Sequence, residues 1–267
     1  MNTDINTLFE NLWQAYIKVT PTATKIHKLL GSTQQDDIIN DHIALRTFSH
    51  PKVNIDVLAK HFEVLGYYEA EQYHFKEKKL YAKHFEHKDK TKPKVFISEL
   101  DMSQFPLSIQ NEINHLVSQV LNDDVKTDDF LYSGRHWKLD YRTYKILLEH
   151  SEYAAWLAVW GFIPNHFTVS INHLKNFDTI QQVNDKLKEA GFVLNDSGGE
   201  IKGSKEVLLE QSSTIADKVL VDFTDWEKEV PSCFYEFALR YPKDDGELYS
   251  GFVQANANDI FDSTNSR

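Results

Sequence analysis

The feature that most restricts how this chain can fold is an order of elements used twice. In the first half, "DHIALRTF" (41–48) alternates as a strand, and "NIDVLAKHFEVLGY" (54–67) keeps helical spacing until Gly66 stops it. "EQYHFKEKKLYAKHFEH" and "KPKVFISEL" follow with strand character. In the second half, "NHFTVSIN" (165–172) opens as a strand and "DTIQQVNDKLKEAGF" (178–192) is helical to Gly191. "KEVLLEQSS", "DKVLVDF" and "CFYEFALRY" then read as three strands. Both series begin with a polar residue before a histidine, Asp41-His42 and Asn165-His166, and both helices end in a glycine–aromatic pair. A strand–helix–three-strand unit that recurs predicts an α+β fold of paired βαβββ modules.

The modules run over about 40–100 and 164–241, inside one domain spanning 1–252. Helices are expected over 3–30, broken at Pro21, and near 104–121 and 139–160. The closing segment "VQANANDIFDSTNSR" (253–267) is polar and is expected to be mobile. With 41% hydrophobic residues the chain can bury a sizeable core. Its formal net charge of -11 argues against a nucleic-acid partner, since phosphate contacts need clustered lysine and arginine. Cys233 is the single cysteine, which excludes an internal disulfide and a zinc–thiolate cluster. The start "MNTDINTLFENLW" lacks a basic, apolar leader, and "AAWLAVWGFI" (154–163) is too short to span a bilayer. These features lead us to expect a cytoplasmic protein with no membrane partner.

Side chains alternate across a strand, so Ile43 and Leu45 share one face while His42, Ala44 and Arg46 share the other. The same test separates Phe167 and Val169 from His166, Thr168 and Ser170, and Tyr235 and Phe237 from Glu236, Ala238 and Arg240. Three strands thus pair an apolar packing face with a face that carries a metal-ligand type. Two imidazoles and one carboxylate suit a facial iron(II) site with open positions, and also zinc or manganese. The competing reading leaves His42 and His166 on solvated sheet faces. Glu99, in "VFISEL", stands in the first half as Glu236 does in the second, which would give a four-ligand site.

"DHIALRTF", "NHFTVSIN", "EIKGSKEVLLEQSS" and "FYEFALRY" together resemble the 2-oxoadipate dioxygenase/decarboxylase (2-hydroxyglutarate synthase) family of the vicinal oxygen chelate superfamily. The resemblance runs from about residue 5 to 250. It implies modules wrapped as a half-barrel around iron(II) (Fe2+), held at His42, His166 and Glu236, with Arg46 gripping a substrate carboxylate. It also implies oxygen and a 2-oxo acid as reactants, with 2-oxoadipate converted to 2-hydroxyglutarate and carbon dioxide. The four-ligand alternative would resemble glyoxalase-type members that work without oxygen. A non-catalytic alternative is a small-ligand-binding module.

Gln211 and Ser212 are placed in the pocket, and "GGEIKGS" (198–204) as a turn or flexible lid above it. Cys233 reads as a core residue, because no flanking basic group would activate it. His61, His74, His84 and His87 fall among lysines and glutamates and read as solvated.

Overall fold

The computed structural model describes residues 3–31 and 38–264. Helices α1 (Ile5–Val19) and α2 (Pro21–Leu30) come first, separated at Pro21, whose missing N–H is tolerated at a helix start. The first module is β1 (Asn40–Phe48), α3 (Ile55–Glu63), β2 (Tyr67–Phe75), β3 (Leu80–His87) and β4 (Lys94–Leu100). Helices α4 (Leu107–Ser118), α5 (Tyr141–His150) and α6 (Glu152–Trp160) lead to the second module. That module is β5 (Pro164–Ser170), α7 (Ile180–Glu189), β6 (Lys202–Ser204), β7 (Leu209–Ser213) and β10 (Phe234–Arg240). Among the described residues, no helix is long and apolar enough to cross a membrane.

These eight strands form a single curled sheet in the order β2-β3-β4-β1-β5-β10-β7-β6. The modules meet at its centre, where β1 runs antiparallel to β5, while β1–β4 and β5–β10 are both parallel. Registers match across the repeat: His42 lies opposite Lys94, and His166 opposite Phe234. The helices α3 and α7 both end beside a glycine in the left-handed region, Gly66 at φ 95° and Gly191 at φ 85°, where a side chain would be strained.

Helices cover the outer face of the sheet. Leu8, Leu12 and Tyr16 of α1 are fully buried, Trp13 meets Phe167 edge-on at 5.0 Å, and the Tyr16 hydroxyl donates to the Phe234 carbonyl. The inner face is a trough, and it is also covered: every residue of β1 after Asn40 is buried. Helix α6 closes one end of the trough, its Tyr153 hydroxyl bonded to Ser98 of β4.

Three sequence expectations change here. "DKVLVDF" contributes β8 (Lys218–Asp222), which pairs with β9 (Glu227–Pro231) in a separate hairpin against α5 and leaves the module. Its place is taken by β6, within the segment expected to be a turn or lid. Residues 202–204 pair with 209–211, and a Cβ on Gly203 would collide with the Leu209 carbonyl.

The third concerns 253–267. In the described part, residues Gln254–Phe261 form helix α8, and Ile260, Phe261, Ser263 and Thr264 are buried. The helix contacts both edge strands, β2 and β6, and so bridges the mouth of the trough. Gln254 donates to the His74 carbonyl on one side and Asn256 to the Leu209 carbonyl and Gln211 on the other. The segment is polar where it grips backbone, and its two large apolar residues point inward.

Candidate metal centre

The centre is built on three adjacent strands of one sheet face. His42 (β1), His166 (β5) and Glu236 (β10) are 2%, 5% and 0% exposed, which overturns the solvated reading of the histidines. One donor atom from each lies within 4.8 Å of the others. His166 Nε2 is 3.0 Å from Glu236 Oε2, and His42 Nε2 is 3.6 Å from Glu236 Oε1. The imidazole rings stand nearly perpendicular, at 84°.

Each histidine is oriented by the residue before it. His42 Nδ1 donates to Asp41 Oδ1 at 2.8 Å, and His166 Nδ1 to Asn165 Oδ1 at 3.1 Å. With Nδ1 carrying the proton, Nε2 offers its lone pair to the centre, as a metal requires. Thr168, between the two outer strands, donates its hydroxyl to His42 Nε2 at 3.1 Å. Glu236 accepts from Gln211 at 2.6 Å and leaves Oε2 without a hydrogen bond among the described residues. Two imidazole Nε2 atoms, one of them engaged only by the Thr168 hydroxyl, facing a buried, incompletely bonded carboxylate fit a divalent cation, with room for further ligands.

The electrostatics agree. Burial alone would raise the Glu236 carboxyl, but His166, His42 and the Gln211 bond outweigh it and hold it below the ordinary range. Burial raises Asp41 too, yet Arg240 and the His42 bond hold it well below the usual carboxylate range. Burial pushes the His166 imidazole below its ordinary 6.5, and it does the same to His61. Between those lowered values and 6.5 the unfolded chain binds more protons than the folded one, so stability rises with pH across that window. Metal-free protein is therefore expected to lose melting temperature as pH falls from about 7 to about 5, which calorimetry would read. A flat melting temperature over that range would contradict the buried neutral imidazoles.

Arg46 lies on the same face, four residues and about 13 Å of strand beyond His42. Its guanidinium is 4.8 Å from the Tyr153 ring, 5.0 Å from Trp156 and 5.8 Å from Phe261. It donates to Thr264 at 3.2 Å, and Glu152 of α6 is 3.9 Å away. Its Nε and Nη1 have no hydrogen-bond partner among the described residues. A buried guanidinium held this loosely is costly unless a ligand completes it.

Other expected residues separate. Gln211 joins the centre through Glu236, but Ser212 points to the opposite face, where it donates to Asn184 of α7 at 2.7 Å. Alternation makes neighbours on a strand mutually exclusive in this respect. Glu99 also faces outward and accepts the Ile55 N–H at 2.9 Å, at the start of α3. By register, the first-module position that answers Glu236 belongs to Phe96, so no fourth ligand arises. His61 and His84 are buried, not solvated. His84 bonds Tyr73 at 2.7 Å and sits against Phe252, whose ring also meets His42 edge-on at 4.8 Å. Sequence reasoning missed Asp41, Asn165 and Arg240 as orienting groups, although the paired polar residues before each histidine were visible. A cavity of about 530 Å³, walled by Asp41, Arg240, Lys94 and Ser170, adjoins the end of the trough away from Arg46.

Residues 2–243 match the family model described as HGLS, 2-oxoadipate dioxygenase/decarboxylase. The chain is 33% identical to the chloroplastic/amyloplastic 2-oxoadipate dioxygenase/decarboxylase of Oryza sativa subsp. japonica, over 97% of this chain and 78% of the relative. It is similar to the crystal structure of hydroxyglutarate synthase in complex with 2-oxoadipate from Oryza sativa, with a TM-score of 0.87 at 32% identity, covering 97% of this chain and 91% of that one. A protein from Shewanella frigidimarina that carries a hydrolase description superposes with a TM-score of 0.92 at 60% identity, covering 96% of this chain and 100% of its own.

Proposed function

This chain belongs to the 2-oxoadipate dioxygenase/decarboxylase family, with the curled paired-module sheet of the vicinal oxygen chelate superfamily, and on that premise we propose that it is an iron(II)-dependent dioxygenase of a 2-oxo acid. The proposed reaction takes 2-oxoadipate and oxygen to 2-hydroxyglutarate and carbon dioxide. The observation that carries the reading is the pairing, on one buried face, of a three-donor centre with an incompletely bonded arginine.

His42, His166 and Glu236 would hold the metal. When bound, iron(II) supplies the redox chemistry by which oxygen decarboxylates a 2-oxo acid and hydroxylates the shortened chain. The protein's own work is binding and exclusion of water. Arg46, whose Nε and Nη1 lack hydrogen-bond partners among the described residues, has donors to offer the distal carboxylate of a dicarboxylic substrate, the group a guanidinium suits best. Gln211 fixes one oxygen of Glu236, and Asp41 and Asn165 fix the imidazole rings. Phe252, Phe261 and Trp156 line the trough between these points with apolar surface, which keeps bulk water from the reacting groups. No separate acid or base is needed. Cys233, buried and free, suits the reducing cytoplasm proposed for the chain.

The test is oxygen uptake by anaerobically prepared, iron-loaded protein across a panel of 2-oxo acids. We expect one oxygen consumed and one carbon dioxide released per 2-oxoadipate, with a five-carbon hydroxy diacid as product. Turnover that continues without oxygen, or with zinc or nickel in place of iron, would refute the dioxygenase reading.

A further inference from the structure

Arg240 closes the curled sheet's last central strand and is 3% exposed. Its guanidinium is shared between two parts of the molecule that are otherwise far apart in sequence. Nε and Nη2 donate to the two oxygens of Asp41 at 2.7 and 2.9 Å. Nη1 donates to the carbonyls of Tyr249 and Gly251 at 2.9 and 2.7 Å. The backbone of Arg240 is itself fixed, since Asn172 both donates to its carbonyl and accepts its N–H.

Each half of that fork leads somewhere. Asp41 Oδ1, which takes the Nη2 bond, also accepts from His42 Nδ1, so the position of Asp41 sets the ring of a proposed metal ligand. Tyr249 and Gly251 begin the segment that crosses the trough. The next residue, Phe252, lies edge-on to His42 and 5.2 Å beneath the Arg240 guanidinium, and its N–H donates to Tyr73. From there the chain continues into α8, which bridges the mouth.

We propose that Arg240 is a positioning residue that couples docking of the 249–264 segment to the orientation of His42, so that metal binding and closure of the trough reinforce one another. The proposal rests on the metal-centre reading above. If the segment lifts, Nη1 loses both carbonyl acceptors and the guanidinium is rehydrated from the adjoining cavity, which it already lines. Asp41 then loses its rigid partner, and His42 loses both its carboxylate hold and the ring that packs against it. Linkage makes the effect reciprocal: whatever factor docking adds to metal affinity, the metal adds to docking. Loss of such a supporting group costs metal affinity about tenfold to a hundredfold.

The experiment uses full-length protein and cobalt(II) as the probe, with affinity read by chelator competition and docking by hydrogen exchange of peptides covering 249–261. In the wild type, cobalt(II) is expected to slow exchange of those peptides. Arg240→Gln should weaken cobalt(II) by about tenfold to a hundredfold and leave the peptides fast-exchanging whether or not metal is present. Asp41→Asn should weaken cobalt(II) as well while the peptides keep the protection of metal-free wild type, because the Tyr249 and Gly251 bonds survive. Arg240→Lys should recover part of the affinity and little of the protection, since one ammonium cannot serve both partners. Wild-type exchange that is indifferent to cobalt(II) overturns the coupling without any variant having to fold, and so does an Arg240→Gln protein that binds cobalt(II) normally. Wild-type protein that takes up no cobalt(II) overturns the metal centre and the coupling with it.

Discussion

Glu236→Gln is expected to abolish turnover and to weaken metal binding by roughly a thousandfold, about 4 kcal/mol, while leaving the metal-free protein at least as stable as the wild type. The two halves of this expectation have one cause. Glu236 is fully buried and its pKa is held below the ordinary carboxylate range, so it is anionic, an arrangement that serves a cation and is costly without one. The amide has nearly the same shape and needs no counter-charge, so the empty site is relieved when the carboxylate goes. A purely structural carboxylate would behave in the opposite way. Metal content by elemental analysis and melting temperature in chelator distinguish the two. A variant that keeps its metal but melts earlier would show that the three residues are an ion-pair network and not a centre.

The second large effect concerns the other end of the trough. Arg46→Ala should raise KM for 2-oxoadipate by about a hundredfold or more, consistent with the 2–5 kcal/mol cost of losing one partner of a desolvated charge pair. Metal affinity should be unchanged, because Arg46 touches none of the three ligands. A six-carbon 2-oxo acid without the distal carboxylate should be a poor substrate of the wild type and relatively better for the variant. Arg46→Lys should not rescue, since a single ammonium cannot reproduce the planar two-donor grip among Tyr153, Trp156 and Phe261. Steady-state kinetics on the two substrates would settle the matter. An equal loss on both would mean that the arginine supports the fold of the trough and does not read the substrate.

What could be seen in the sequence was governed by alternation. A strand with one apolar face declares which of its residues share the other, and this was enough to set His42, Arg46, His166 and Glu236 on one side. The same rule, applied to the register now visible, removes Ser212 and Glu99, which stand at the wrong parity. Pairing partners were not legible. "DKVLVDF" has as good a strand pattern as "KEVLLEQSS", and only long-range contacts send it to the hairpin against α5. Nor could a polar terminus announce α8, whose burial depends on two residues, Ile260 and Phe261, meeting a concavity made elsewhere. Arg240 stood on the correct face from the outset, but its partner Asp41 lies 199 residues away.

The duplicated frame has one more consequence. Register makes Ser170 the counterpart of Arg46 and Phe96 the counterpart of Glu236, so a nearly twofold scaffold carries chemistry that is not twofold at all. Ser170 turns its hydroxyl to His173 and faces the open cavity, whereas Arg46 faces a closed aromatic wall. On the proposed function, a molecule with an acid group at each terminus would meet a polarised bed, and the side of the dyad that carries the arginine would decide which terminus reacts.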